Sequence, residues 1–174
     1  MKKVIGSLIV MSFLLTSGSL FAQNPIKLGH IDSRLVFTAM PESDSAQKTL
    51  EREAGVMQQT LEELQVEFNK KYDDYLKMTN DPNANPVILR TKEEELQTLN
   101  QRSQSFQQQA EQAISDKRAD LFKPIQDKAI KAVNDVAAEN GFTYIFDTAG
   151  GMIVYTSPES QDILPLVKTK LGLK

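Results

Sequence analysis

Residues 80–86 read Asn-Asp-Pro-Asn-Ala-Asn-Pro, and this stretch separates two long helical patterns. Three asparagines and two prolines in seven residues are typical of a turn, because proline cannot continue a helix and asparagine accepts turn conformations. Asn85 can also cap the next helix, since its side-chain oxygen can accept a backbone N–H. The sequence therefore predicts two helices that fold back on each other around a tip at 80–86.

The segment before this tip carries one apolar stripe. Its members recur about every 3.6 residues, and they are Ala46, Leu50, Ala54, Met57, Leu61, Leu64, Phe68, Tyr72 and Tyr75. This spacing matches an unstrained α-helix, and Pro41 suits the first helical position because its missing N–H has no partner there. A helix over 41–79 is roughly 57 Å long at about 1.5 Å per residue. It exceeds what a domain of this size can cover, so it must project.

A second helix is predicted from Pro86 to Asn140, where Gly141 supplies the stop. Its early stripe follows a heptad, and Ser103 fills one apolar position of that heptad. Between residues 101 and 112 there are six glutamines and only two apolar residues, so the contact between the helices is weakest there. This segment is either a solvated stretch of coiled coil or a soft, bendable part of the hairpin.

Folding the chain about the tip pairs positions whose numbers sum to about 165, which places Glu42 opposite Lys123. The next residue, Pro124, lies inside the second helical pattern. Proline there removes one backbone hydrogen bond and clashes with the carbonyl of Asp120, so the helix should bend. Pro41 and Pro124 thus lie together where the hairpin meets the rest of the chain, and we predict that they form a hinge.

The two ends of the chain predict β structure. Ile26–Ile31 alternates, with Ile26, Leu28 and His30 on one face, and Asp32 is interpreted as the cap at the end of this strand. Two further strands are expected at 142–146 and 152–155 with a hairpin loop at 147–151, followed by an amphipathic helix over 160–171. Three short strands leave edges and one apolar face uncovered, so the sheet predicts oligomerisation. The predicted class is α+β: a helical hairpin arm, 41–124, projects from a β-rich body, 23–40 and 125–174.

Composition excludes several functional classes. The 174 residues carry a net charge of −3, which argues against a nucleic-acid-binding protein because such proteins present a basic face. There is no cysteine and only one histidine, so thiolate chemistry and a histidine metal cluster are excluded. No glycine-rich phosphate loop is present. We expect no cofactor, no metal and no enzymatic activity; an enzyme would have to depend on His30, Asp32 or the loop at Asp147.

Residues 1–22 are typical of a cleavable secretory signal. Lys2 and Lys3 precede an uncharged apolar run, and small residues near Ala22 resemble a cleavage site. Cleavage after Ser19 is an alternative, as is retention of the segment as a membrane anchor. Removal of residues 1–22 leaves a mature chain with a net charge of −5 and predicts export to the periplasm without stable membrane insertion.

Several segments, in this order around the hairpin, resemble the Skp/OmpH family of periplasmic chaperones of outer-membrane proteins. They are Lys27-Leu28-Gly29-His30-Ile31-Asp32-Ser33, Leu121-Phe122-Lys123-Pro124-Ile125, Val136-Ala137-Ala138-Glu139-Asn140-Gly141-Phe142, Tyr144-Ile145-Phe146-Asp147, and the approach of Val154-Tyr155 to Asp162-Ile163-Leu164. The resemblance covers essentially the whole mature chain.

This resemblance implies a jellyfish-like homotrimer whose strands form a small barrel and whose three arms surround a cavity. It also implies an ATP-independent holdase that keeps unfolded β-barrel proteins soluble in that cavity. The well-known members are strongly basic whereas this chain is acidic, so lipopolysaccharide binding is not carried over. His30 also stands where many relatives have an aromatic residue.

A holdase needs weak contacts to many sequences. Val56 and Val66 fall off the stripe of the first helix, and Met78, Val87 and Ile88 lie close to the tip, so these five residues are candidate client contacts. The plain alternative is that they are incidental exposed residues or tip packing. The alternative function is a structural coiled-coil adaptor or spacer of an envelope assembly, with one defined folded partner.

Overall fold

A computed structural model of the protein describes residues 26–173. The predicted signal segment, with both candidate cleavage positions, lies outside these residues. The elements in chain order are β1 (Leu28–Ile31), α1 (Ser33–Ala39), α2 (Pro41–Thr79), α3 (Pro86–Glu139), β2 (Tyr144–Asp147), β3 (Gln161–Asp162) and α4 (Leu164–Lys170). The described chain is therefore mostly helical, with two long helices and one small sheet.

The two long helices begin and end close to where the sequence predicts. Pro41 occupies the first turn of α2, and two acidic residues of that turn favour the positive end of the helix dipole. At the start of α3 the Asn85 side chain accepts a hydrogen bond of 2.9 Å from the Val87 amide, as expected of a cap. The helix ends before Gly141, whose φ of 68° favours glycine. The predicted hairpin and its tip are confirmed.

The helices pack antiparallel along a narrow seam. Its buried apolar residues are Ala46, Leu50, Leu64, Leu96, Leu99 and Ala110. Near the tip Lys71 pairs with Glu95, in agreement with the predicted register. Near the base Glu42 pairs with Lys128 rather than lying against Lys123. Pairing by a constant sum of residue numbers assumes two straight helices that advance equally along the hairpin. It also ignores the length of the side chains, and an extended lysine reaches about as far as one helical turn.

The three strands form a parallel sheet in the order β2-β1-β3, with Leu28 opposite Tyr144 and His30 opposite Asp162. This differs from the predicted antiparallel hairpin, because residues 152–155 pair with no strand in the described chain. The third strand lies at 161–162 instead. Alternating apolar residues indicate only that a segment fits a pleated surface, so the pattern at 152–155 could not identify its partner.

The core lies between the inner face of the sheet and helices α1, α3 and α4. Its most deeply buried members are Val36, Met40, Ile163 and Val167. The sequence analysis missed α1: Asp32 does not simply end the strand, since its side chain accepts from the Arg34 amide and caps this seven-residue helix. Pro165 lies in the first turn of α4, where a proline is tolerated. The core anchors the base of the hairpin to the sheet.

Helix α3 is continuous through Pro124, which is exposed on its surface. The apolar residues after it, Ile125, Ala129, Ala132 and Val136, are all buried in the core. The helix therefore passes from the hairpin into the core within one turn of this proline. A hinge at Pro41 and Pro124 stays a prediction.

Candidate interaction surfaces

The residues that an enzyme would need are engaged in structural hydrogen bonds. Asp147 accepts from the Ser33 amide at 3.1 Å and from the Ser33 hydroxyl at 2.7 Å, which ties β2 to the start of α1. Partial burial raises the pKa of Asp147, but hydrogen bonds from Ser33 and Ala149 outweigh it and leave that pKa below the ordinary value. Within residues 26–173 no three His, Asp or Glu side chains come together as they would around a metal ion.

His30 lines a cavity of about 540 Å³. Its Nδ1 lies 2.8 Å from the Ser160 hydroxyl, which holds the loop before β3 against β1. The remaining walls are mainly apolar and include Leu28, Phe146 and Ile153. His30 therefore belongs to the outer face of the sheet, as its alternation with Ile26 and Leu28 predicts.

The outer face of the sheet is uncovered by the described chain. Its exposed apolar side chains are Ile26, Leu28, Tyr144 and Phe146, and the neighbouring loop adds Met152, Val154 and Tyr155. The exposure is extreme in this loop, at 87% for Met152 and 97% for Val154. A contiguous apolar surface of this kind is typical of an interaction site, because water contact with it is unfavourable. The sequence pattern identified the strand part of this surface and gave no sign of the exposed loop.

The candidate client contacts lie on the arm, by which we mean residues 41–124. Val56 and Val66 are 59% and 67% exposed, on faces of α2 that do not meet α3. At the tip Val87 and Ile88 are exposed, whereas Met78 is half-buried. The exposure predicted for Val56 and Val66 is thus found, while binding by any of the five residues stays a prediction. They are scattered and form no groove.

Packing along the helix seam of the described chain is incomplete beside Ser103. A cavity of about 100 Å³ lies between the helices, lined by Leu64, Phe68, Leu99 and Ser103 among others. Ser103 is the polar residue that occupies an apolar heptad position, and it is partly buried. Beyond it, Ala110 is the sole buried residue of α3 before Ile125. The glutamine-rich stretch therefore coincides with the weakest packing of the described arm.

Ion pairs stabilise the arm near its tip and near its base. Near the tip the Glu95 carboxylate lies 3.1 Å from the Lys71 ammonium and 3.2 Å from that of Lys92. Hydrogen bonds from these two lysines hold the pKa of Glu95 below its ordinary value. Near the base Lys128 pairs with Glu42 and lowers the pKa of that carboxyl. The pairs Lys71–Glu95 and Lys128–Glu42 join α2 to α3 and fix the register of the hairpin, whereas Lys92 pairs with Glu95 within α3.

Comparison with known families identifies the fold. Residues 27–171 match the model of a family described as outer membrane protein (OmpH-like), which spans both long helices and all three strands. The chain belongs to the OmpH-like family. This confirms the resemblance found in the sequence, and OmpH-like proteins are periplasmic chaperones of outer-membrane proteins rather than enzymes. No curated protein sequence matches this OmpH-like chain. Among residues 26–173, no helix has both the length and the apolar character needed to cross a bilayer.

Proposed function

We propose that this OmpH-like protein is an ATP-independent periplasmic holdase that sequesters unfolded outer-membrane β-barrel proteins between its arms. The observation that carries the proposal is the arm itself: a long hairpin with a narrow buried seam and isolated aliphatic side chains on its outer faces. Such a surface offers no single deep site for one folded partner. It can make many weak contacts with an extended chain.

The energetics suit a reversible holdase. A valine gains about 1.5 kcal/mol or more when fully buried, and partial cover by a client gives less. A few such contacts per arm are individually weak, and several arms acting together raise the overall affinity through effective concentration. A client can thus be held without ATP and released when its folding is more favourable.

We propose that the holdase is a homotrimer assembled through the outer face of the sheet. The apolar side chains of this face, together with the exposed loop at 152–155, would be covered by neighbouring copies. In this proposal the chain has two parts, an oligomerisation body formed by residues 23–40 and 125–174 and an arm formed by residues 41–124. Pro41 and Pro124 form the hinge between them. Residues 1–22 would direct export and then be removed.

The test is sedimentation velocity on mature residues 23–174, alone and mixed with an outer-membrane barrel protein diluted from urea. We expect an elongated trimer that gains one soluble client. The double variant Val56→Ser, Val66→Ser should weaken capture by about thirtyfold, since partial burial of the two valines contributes about 1 kcal/mol each. The matched control is Ala54→Ser with Ala113→Ser, because both alanines are exposed on the arm.

A trimer that leaves the client to aggregate would refute the holdase function and favour the adaptor, for which one folded envelope partner should then be sought. Equal capture by the valine variant and its control would remove Val56 and Val66 from the binding surface. In that case the tip residues Val87 and Ile88 become the next variants to measure.

A further inference from the structure

His30 lies on the outer face of the sheet, in the central strand β1. It is the single histidine of the chain, and histidine is the side chain whose ordinary change of charge falls between about pH 5 and pH 8. The ring is partly buried and lines the cavity of about 540 Å³ together with Leu28, Phe146 and Ile153. One titratable ring thus lies among the apolar side chains of the proposed oligomer interface.

One of the two ring nitrogens of His30 already has a partner. Nδ1 lies 2.8 Å from the Ser160 hydroxyl, which can donate or accept a proton, so this bond is open to a neutral ring and to a charged one. Within residues 26–173 the other nitrogen, Nε2, makes no hydrogen bond. A ring that carries its second proton therefore needs water, or an acceptor from another chain, at Nε2.

The acidic neighbours of His30 offer little to offset a charge on the ring. Asp162 lies opposite His30 on β3, but its carboxylate accepts a backbone amide at the start of α4 at 2.9 Å. Glu159 lines the same cavity and is exposed to water. Neither forms an ion pair with the imidazole in the described chain, and no lysine or arginine described there lines the cavity. The remaining titratable side chains of this face are neutral in this pH range, and they are Tyr144 and Tyr155.

We propose that protonation of His30 separates the copies of this chain, so that the assembly forms at neutral pH and dissociates in mild acid. This inference rests on the proposed homotrimer and names its regulation. When a neighbouring copy covers the cavity, the ring loses water, and a charged ring among apolar side chains is far less favourable than a neutral one. The assembled state therefore binds fewer protons than the separate chains do, and by linkage acid favours the separate chains.

The size of the effect follows from symmetry, because each copy contributes the same histidine. At pH 5.5 a histidine in water is charged about ten times as often as it is neutral. If each copy of a trimer admits only the neutral ring, the association constant falls about a thousandfold between pH 7.5 and pH 5.5. The chain concentration at half assembly varies as the inverse square root of that constant, so it should rise about thirtyfold. Most carboxylates keep their charge over this range.

Sedimentation velocity of untagged mature residues 23–174 at pH 7.5 and pH 5.5, over a series of concentrations, measures this shift. The test variants are His30→Asn, whose amide can still bond to Ser160, and His30→Phe, which keeps an aromatic ring without a titrating group. Both should assemble at one concentration at the two pH values. The matched control is Glu159→Gln, which removes a carboxylate of the same cavity and should keep the thirtyfold shift. Circular dichroism verifies that each protein is folded at both pH values.

The charge of the ring can also be followed directly. Because His30 is the single histidine, the proton NMR signal of its Cε1–H reports the charge of this ring without a mutation. We expect the signal to change from the neutral to the charged position together with dissociation of the trimer. A ring that becomes charged while the trimer stays intact would overturn the proposal.

A trimer with the same midpoint at both pH values also overturns the switch and leaves the proposed homotrimer intact. A shift that persists in either histidine variant, or that disappears in Glu159→Gln, counts against it as well, because another group would then respond to acid. If the parent protein forms no oligomer at pH 7.5, the homotrimer and the switch both fail. A trimer that dissociates in acid yet lets an unfolded barrel protein aggregate at pH 7.5 would support the switch and refute the holdase function.

Discussion

Filling the gap beside Ser103 should stiffen the arm. The cavity of about 100 Å³ lies between Leu64, Phe68 and Leu99, and the Ser103 side chain makes no hydrogen bond within the described residues. Ser103→Leu replaces a partly buried hydroxyl with an isobutyl group beside Leu64, Phe68 and Leu99, in a gap that polar side chains also line. Three added carbon atoms at about 0.8 kcal/mol each give an upper value near 2.4 kcal/mol. Since the seam is half open to solvent, we expect a gain of about 1–1.5 kcal/mol in the free energy of arm opening.

Hydrogen exchange measured by mass spectrometry reports the free energy of arm opening separately for each peptide of the chain. A gain of about 1.4 kcal/mol slows exchange roughly tenfold for amides that open with the arm, so peptides covering 60–70 and 96–110 should be protected. Peptides covering β1 should not change, because the core packs away from this gap. The control is Ser105→Leu, the same chemical change at an exposed position two residues away.

Equal exchange in Ser103→Leu and Ser105→Leu would refute the reasoning, since it would mean that the gap cannot accept a side chain. Slower hydrogen exchange in the arm of Ser103→Leu would also distinguish the two interpretations of the glutamine-rich stretch. If Ser103→Leu captures clients with the same affinity as the parent protein does, the glutamine-rich stretch is a solvated segment of coiled coil. If capture falls as protection rises, softness of the arm contributes to binding.

Three further predictions concern single residues. Pro124→Ala restores a backbone donor to α3 and should raise the free energy of unfolding by about 1–3 kcal/mol and straighten the arm; an unchanged small-angle scattering profile would exclude the hinge. Because hydrogen bonds from Lys71 and Lys92 hold the pKa of Glu95 below its ordinary 4.5, these ion pairs stabilise the hairpin above that pH and their contribution is lost as the pH falls through the lowered pKa. Glu95→Gln should therefore unfold with a weaker acid dependence, followed by circular dichroism, and an identical pH profile would contradict this. Gly29→Ala should destabilise the sheet, since the new methyl would lie 2.9 Å from both Ile145 Cδ1 and Phe142 Cε1; calorimetry with an unchanged transition would disprove the close packing.

The hairpin was predictable because its signals are local. The apolar period of α2, the proline and asparagine residues of the tip and the glycine after α3 each act within a few residues of the chain. The sheet was only partly predictable, since a strand of four residues depends on a partner more than a hundred positions away. Helix α1 was missed because seven residues are too few for a clear period, although Asp32 with the Arg34 amide provided its cap.

The exposed surfaces were likewise predictable only where signals within a few residues of the chain determine them. Exposure of Val56 and Val66 followed from helical phase alone and was found, while the loop at 152–155 depended on the tertiary fold.

The outer face of the sheet and the arm differ in how closely their exposed apolar residues are grouped, and this difference favours different kinds of partner. The outer face of the sheet and its neighbouring loop expose seven apolar residues, and four of these, Ile26, Leu28, Phe146 and Tyr155, line one cavity. A surface so concentrated favours a lasting partner of fixed shape, such as a second copy of this chain. The arm spreads single valines among charged and polar side chains, so any contact it makes is weak and tolerant of sequence. One chain would then combine a permanent interface at its base with a transient one along its arms. Substitutions on the sheet should therefore change the oligomeric state, whereas substitutions of Val56 and Val66 should change only client capture.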